Sequence, residues 1–330
     1  MLPTQQKDNR SPLLVLLGPT AVGKTALSLQ IAKAADAEII SGDSMQVYRG
    51  MDIGTAKLPP EERQGIPHHL IDILDPWEPF SVSQFQRLCL EKIEEIRARG
   101  RLPFIVGGTG LYIESVCYGY AFEGEGGDAA FRERMKEFAA AHGPAALHAR
   151  LAALDPAAAE RLHPNDLRRV IRALEVIEAT GRPFSEVQSQ RRKDPKESPF
   201  NLCLIGLTMD RELLYRRIDR RVDEMMAAGL VDEVKALLAA GVPRNAVSMQ
   251  GLGYKEIAAY LCGETDLETA VALIKRDTRR FAKRQLSWFR GMKDIHWFDT
   301  GGDAEKNQNL FKSICDIIAG KFQIHLEYIP

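Results

Sequence analysis

Gly18-Pro-Thr-Ala-Val-Gly-Lys-Thr25 constrains this chain more than any other stretch, because it meets G-x-x-x-x-G-K-[ST] at every fixed position. The run before it, Leu13-Leu-Val-Leu-Leu17, is short, wholly apolar and stopped by glycine, which predicts a buried parallel strand. Apolar residues at helical spacing follow from Lys24 to Ala35. Strand, glycine turn and helix together make a cradle for an anion. The glycines let backbone N–H groups curl around phosphate oxygens, and the helix N-terminus adds a favourable dipole. Lys24 supplies a mobile positive charge, and the Thr25 hydroxyl can ligate Mg²⁺. Gly18, Pro19, Thr20, Ala21, Val22, Gly23, Lys24 and Thr25 are thus the candidate diphosphate contacts, with Thr25 the candidate metal ligand. The motif specifies a diphosphate or triphosphate end and does not by itself specify a nucleotide.

The cradle sits in a recognisable order of elements. Glu38–Ser41 reads as a second strand, Phe85–Arg99 as an amphipathic helix, and Leu102–Val106 as a third strand ended by Gly107-Gly108. Strands alternating with helices predict a parallel sheet with crossover helices. Glu123–Asp128 is a linker by composition, and the Ala-, Arg- and Glu-rich chain from there to about Arg192 reads as wholly helical. A polar stretch, Gln188–Ser198, closes it; Leu202–Leu207 then resumes strand character. Helices are expected at 211–227, 230–240, 253–261 and 266–290, and a last strand at Ile295–Phe298. The expected fold class is therefore α/β. Residues 1–122 and 199–330 form a P-loop NTPase-like parallel-sheet core, and residues 123–198 an inserted all-helical subdomain, which suits a chain of 330 residues.

Composition excludes more than it selects. The formal net charge of -1 gives no global argument for nucleic-acid binding, so any such site must come from local clustering. The five cysteines are scattered and form no C-x-x-C pair, which argues for reduced thiols in a cytoplasm over a disulfide or zinc framework. No apolar run approaches the roughly 20 residues that span a bilayer, and Met1–Arg10 is polar. No membrane association is expected.

A nucleotide hydrolase of this class carries an Asp at the end of another core strand to hold Mg²⁺. Here the third strand ends in glycines, leaving Asp72 and Asp75 as substitutes. The second strand instead delivers Asp43 to a carboxyl-terminal strand tip, where a carboxylate can accept a proton from a nucleophile or merely shape a turn.

Beyond the loop, further motifs follow: Asp43-Ser-Met-Gln-Val-Tyr48, Gly54-Thr-Ala-Lys57, His68-His69, Gly107-Gly-Thr-Gly-Leu-Tyr112, Arg169-Val-Ile-Arg-Ala-Leu-Glu175, Gly253-Tyr-Lys-Glu256 and Lys283-Arg-Gln285. In this order the chain resembles the bacterial tRNA dimethylallyltransferase (tRNA isopentenyltransferase) family from residue 18 to about 290. The resemblance implies transfer of a dimethylallyl group from dimethylallyl diphosphate to N6 of the adenosine at tRNA position 37, beside the anticodon. The loop would then hold the diphosphate leaving group and not ATP. It further implies Asp43 as general base, Thr25 near the reacting centre, and Thr109 positioning the substrate. Loop amides, Lys24 and Mg²⁺ would stabilise the departing charge. The target adenine must be turned out of its loop, and Gln46 is placed to read its edge. The rival is a small-molecule P-loop kinase using ATP on the same loop.

Local charge by itself reads as a solvated helix face or as an RNA site, and the resemblance implies the RNA site. Residues 275–293 hold Lys275, Arg276, Arg279, Arg280, Lys283, Arg284, Arg290 and Lys293 against one acid, Asp277, with Trp288 and Phe289 interleaved. Arg168, Arg169 and Arg172 form a second cluster with Val170 and Ile171 between them, and Arg132 is a further candidate by analogy. Ser44, Met45, Gln250, Gly253, Tyr254, Lys255 and Gln285 complete the expected tRNA contacts by resemblance. Arg217 and Arg221 share a helix face and reach either the diphosphate or a neighbouring carboxylate. The partners expected are the tRNA anticodon stem-loop and dimethylallyl diphosphate, bound by a cytoplasmic monomer.

Overall fold

A computed structural model describes residues 10–122, 128–193, 198–302 and 304–326. Most of the Glu123–Asp128 linker, and Pro195 at the far boundary, lie outside the described residues. Two compact units emerge, residues 1–117 with 198–330 and residues 118–197.

The apolar run becomes the middle of the first unit. Strand β1 (Ser11–Leu17) has Leu13 to Leu17 fully buried, because strands neighbour it on both sides. Burying each such side chain stabilises the fold by about 1.5–3 kcal/mol. The other strands are β2 (Ala37–Gly42), β3 (His68–His69), β4 (Leu102–Gly107), β5 (Phe200–Thr208) and β6 (Ile295–Asp299). They form one six-stranded sheet in the order β3-β2-β4-β1-β5-β6, with every pairing parallel. Register aligns Gly107 with both Leu17 and Gly42, and Leu17 with Gly206, so the carboxyl ends of four strands meet at one level. Ligands bind at that edge in open parallel sheets.

Helices α1 (Lys24–Ala34), α2 (Val82–Ala98) and α3 (Gly110–Cys117) connect the first strands. Ser81 and Gln84 cap α2 reciprocally, which fixes where it starts. In the second unit the helices are α4 (Ala129–His142), α5 (Pro144–Leu154), α6 (Pro156–Arg161), α7 (Leu167–Thr180) and α8 (Phe184–Lys193). Phe131, Leu147, Leu151, Val170, Ala173 and Leu174 form its core. Buried Asp155 ties α6 to α8 by accepting from the N–H groups of Ala158 and Ser185 and from the Ser185 hydroxyl. The first unit then resumes with α9 (Arg211–Ala227), α10 (Leu230–Ala239), α11 (Tyr254–Leu261) and α12 (Leu267–Phe289). The sequence reading left residues 304–322 unassigned. They form α13 (Ala304–Phe322), whose Ile314, Cys315 and Ile318 join the core beside α1 and β5. No helix among the described residues is long and apolar enough to cross a membrane. All five cysteines are free.

Candidate active site

The chain leaves β1 through a turn that its own neighbours hold open. Ala21 and Gly23 take left-handed φ values of 64° and 104°, which aim successive backbone amides at one point. A Cβ on Gly18 would stand 2.9 Å from the Leu207 carbonyl oxygen, so the close approach requires glycine. Gln285 braces the turn from α12: its Oε1 accepts from the Thr20 N–H at 3.0 Å, and its Nε2 donates to the Gly108 carbonyl at 2.9 Å. The Thr300 hydroxyl donates to the Val22 carbonyl at 2.8 Å. Lys24 Nζ folds back onto the Gly18 and Pro19 carbonyls, at 2.9 and 2.8 Å. Thr25 opens α1 with an exposed side chain whose hydroxyl has no protein partner among the described residues.

The tip of β4 explains its glycines. A Cβ on Gly107 would meet the Gly42 carbonyl oxygen at 2.4 Å, and one on Gly108 would meet Gln285 Nε2 at 2.3 Å. No acid fits there. Asp72 and Asp75 do not substitute for it: Asp72 pairs with Lys57 and Asp75 with Arg49, and neither lines the cavity described next. Thr109 stitches β4 to β2, donating from its N–H to the Gly42 carbonyl at 3.2 Å and accepting from the Ser44 N–H at 3.2 Å. Asp43 Oδ1 accepts from the Met45 and Gln46 N–H groups at 2.8 and 3.4 Å. Its Oδ2 has no protein partner among the described residues. Gln46 accepts from the Ser41 hydroxyl at 3.0 Å and donates to the Thr55 carbonyl at 3.3 Å, which fixes its amide.

Two cavities meet at Asp43. One, of about 850 Å³, holds Lys24, Thr25 and Gln46, faced by Arg216, Arg217, Arg220 and Arg221 from α9. Its remaining wall includes apolar Ile39, Leu58, Ile71 and Val106. The other, of about 300 Å³, is lined by Ser44, Met45, Thr109, Gln250, Tyr254, Lys255 and Arg284, among others. Thr20, Asp43, Thr55, Arg221 and Phe281 line both. Five cations face two carboxylates, Asp43 and Glu224, in the larger cavity, so its field favours an anion. Lys24 opens onto this cavity yet is enclosed by protein. Burial pushes its ammonium down to about 7, Arg221 repels it further, and Asp43 opposes both. Burial likewise lowers the Arg221 guanidinium, against attraction from Asp43 and Glu224. Among the described residues neither Arg217 nor Arg221 has an ion-pair partner, and Arg217 Nη1 lies 4.0 Å from where a Cβ on Gly23 would sit.

The remaining expected contacts divide. Tyr254 is buried and donates to Glu233 Oε1 at 2.6 Å; Gly253 caps α11 at a left-handed φ of 93°. Gln285 was expected to touch RNA. It is 6% exposed, with both amide ends bonded inside the protein, so its role is to brace the loop. Val170 and Ile171 were expected there too, but their side chains belong to the core of the second unit. Phe289 is fully buried, which leaves Trp288 as the exposed aromatic of that pair. Arg132 and Arg172 both pair with the buried Glu175, at 2.7 and 2.6 Å, and Arg169 lies 3.4 Å from Asp166. Arg168 has no ion-pair partner among the described residues. Sequence reasoning missed Arg216, Arg220, Thr55, Phe281 and Thr300. The spacing of Arg216 and Arg220 repeats that of Arg217 and Arg221 and was a usable signal; Thr300 had none.

A glycine turn at the tip of a central parallel strand, opening on a cationic cavity, defines an α/β protein of the P-loop type whose cavity field favours an anion. Comparison narrows the class. The IPP transferase family model matches residues 46–292, and the isopentenyl transferase model matches residues 12–72. A tRNA dimethylallyltransferase of Bacillus velezensis is 53% identical over 319 residues, covering 96% of this chain and 100% of the relative. One from Symbiobacterium thermophilum is 56% identical over 297 residues, covering 90% and 92%. The crystal structure of a tRNA isopentenylpyrophosphate transferase from Bacillus halodurans superposes with a TM-score of 0.71 at 48% identity, covering 95% of this chain and 99% of that one. A eukaryotic dimethylallyltransferase, described as acting on tRNA, superposes with a TM-score of 0.80 at 29% identity, covering 96% and 81%. This chain belongs to the IPP transferase family.

Proposed function

We propose that this protein transfers the dimethylallyl group of dimethylallyl diphosphate to N6 of adenosine 37 in tRNA, giving N6-(dimethylallyl)adenosine. The observation that carries the reading is Asp43, with one carboxylate oxygen anchored by backbone amides and the other without a partner among the described residues, where the two cavities meet. The larger cavity takes the diphosphate on the Gly18–Thr25 amides, Lys24, Arg217 and Arg221, with the alkyl group against the apolar wall. The smaller takes the turned-out adenine between Met45, Thr109 and Tyr254. The allylic C–O bond breaks and its electron pair leaves with the diphosphate. The N6 lone pair forms the new C–N bond, and the N6 proton passes to Asp43.

The Thr25 hydroxyl at the mouth of the cavity is a hard oxygen donor of the kind Mg²⁺ prefers, and it would hold the ion there. When bound, the ion offsets charge on the leaving group. The helical unit of residues 118–197 contributes RNA contacts through Arg168, with Arg132, Arg169 and Arg172 exchanging carboxylate partners for phosphates. The protein acts as a cytoplasmic monomer.

Incubation with tRNA and dimethylallyl diphosphate labelled in the alkyl group tests this reading. Label should appear on N6 of adenosine 37. Asp43→Asn keeps an oxygen to accept from the Met45 N–H but removes the carboxylate, so turnover should fall by roughly 10²–10⁴ while tRNA binding survives. Label that stays off tRNA, with ATP consumed on a small metabolite, would instead establish a kinase.

A further inference from the structure

The most conspicuous apolar surface beside the site is Trp288, which is 45% exposed although it sits on a helix whose next residue is fully buried. An isolated exposed aromatic needs no explanation; this one is held in place. Its indole N–H donates to Glu114 Oε2 at 2.9 Å. Its ring lies against Gly110, where a Cβ would stand 2.4 Å from Trp288 Cδ1. The ring is therefore pinned at its polar edge and packed against a backbone that admits no side chain.

Its position is equally specific. Gly110 directly follows Thr109, and Arg284 lies one turn before Trp288 on α12; both Thr109 and Arg284 line the smaller cavity. Trp288 itself lines neither cavity. It thus stands at the rim of the pocket proposed to receive the adenine. Lys283, Arg284, Arg290 and Lys293 surround it in sequence, and none has an ion-pair partner among the described residues.

From this arrangement we infer that Trp288 is a stacking platform for a nucleobase of the RNA strand next to the turned-out adenosine. Extruding one base leaves its neighbour without a stacking partner, and a fixed aromatic at the pocket rim restores that surface. The flanking cations hold the strand's phosphates while the ring takes the base, the combination that single-stranded nucleic acid recognition uses. Trp288 is a positioning residue here, since it touches neither reacting atom. The inference rests on the proposed tRNA reading.

The test compares Trp288→Leu and Trp288→Phe in the full-length protein, using an anticodon stem-loop RNA and inorganic pyrophosphate as separate probes. Leucine keeps apolar packing on Gly110 but has no ring face; phenylalanine keeps the face. The KM for RNA should rise between about 5- and 100-fold in the leucine variant and return to within about threefold in the phenylalanine variant. Pyrophosphate affinity and thermal midpoint should match wild type in both. Wild-type tryptophan fluorescence should be quenched by the RNA, and most of that quenching should vanish in Trp288→Leu. Unchanged KM and quenching in Trp288→Leu would overturn the inference, as would a phenylalanine variant as impaired as leucine. Absence of prenyl transfer by the wild type would overturn the tRNA reading instead.

Discussion

Divided after Arg280, α12 and the residues that follow it to Lys293 form two halves with four Lys or Arg side chains each, which stand in different electrostatic company. In the first half Lys275 pairs with Asp223 at 2.6 Å, Arg279 pairs with Asp219, and Arg276 and Arg280 share Asp277 at 2.9 and 3.3 Å. In the second half and just beyond it, Lys283, Arg284, Arg290 and Lys293 have no ion-pair partner among the described residues. Asp219 and Asp223 come from α9, which also sends Arg217 and Arg221 into the larger cavity. A basic run is thus no RNA site until the acids that other helices bring to it have been subtracted. The cations left over are those beside the pocket.

Replacing Lys283, Arg284 and Arg290 together by alanine is the severest challenge to that contrast. RNA affinity near physiological salt should fall roughly a hundredfold, and the slope of log affinity against log salt should flatten by about two to three. Binding titrations at three salt concentrations measure both. A slope unchanged from wild type would mean that the second half is no more engaged with phosphate than the first.

The same half of α12 also holds the loop, and Gln285→Ala separates these tasks. It leaves the Thr20 N–H and the Gly108 carbonyl without partners, costing about 1–3 kcal/mol of stability. Denaturant titration should register that loss, pyrophosphate affinity should drop about tenfold, and the salt slope for RNA should stay where it was.

Gln285 also shows where the sequence stopped being legible. The loop, the β1 strand and the boundaries of α9 and α12 follow from glycine spacing and helical periodicity, which are local. The two-residue edge strand β3 is too short to have a period, and α13 drew no assignment for residues 304–322. Asp43 was readable because a strand tip announces itself. The partners of a side chain are not: Gln285 lies 265 residues from Thr20, and Asp219 lies 60 from Arg279. Such pairings exist only after the sheet and helices have packed, so a Lys-Arg-Gln run looks the same whether it faces RNA or a loop.

Lys24 is a third kind of cation, with no carboxylate partner among the described residues and with protein around it where it opens onto the larger cavity. Held near 7 in the fold against an ordinary 10.5, it binds fewer protons folded than unfolded between those values. It therefore destabilises the ligand-free protein fully below about pH 7, and the penalty fades as pH rises toward 10.5. Lys24→Met should melt about 2–5 °C above wild type at low pH, with the gap closing in alkali. Pyrophosphate favours the charged form, so at about pH 8 the wild type should take up more protons on binding than the variant does. Calorimetry in buffers of different ionisation enthalpy reads the difference.

The smallest effects should come from the first half of α12. Lys275→Ala and Arg279→Ala each remove one partner of a pair whose side chains remain partly exposed to solvent, where such a pair contributes about 0–1 kcal/mol. Each variant also leaves an aspartate of α9 uncompensated on the flank of a helix whose arginines line the larger cavity. RNA affinity should stay within about twofold of wild type, with an unchanged salt slope, because no phosphate contact has been lost. Pyrophosphate affinity should weaken slightly in the same variants, since the freed carboxylates oppose the cavity's field, and added salt should erase that weakening. A loss of RNA affinity comparable to that of the second-half variants would show that the ion pairs open when RNA arrives, and the contrast between the halves would then belong only to the free protein.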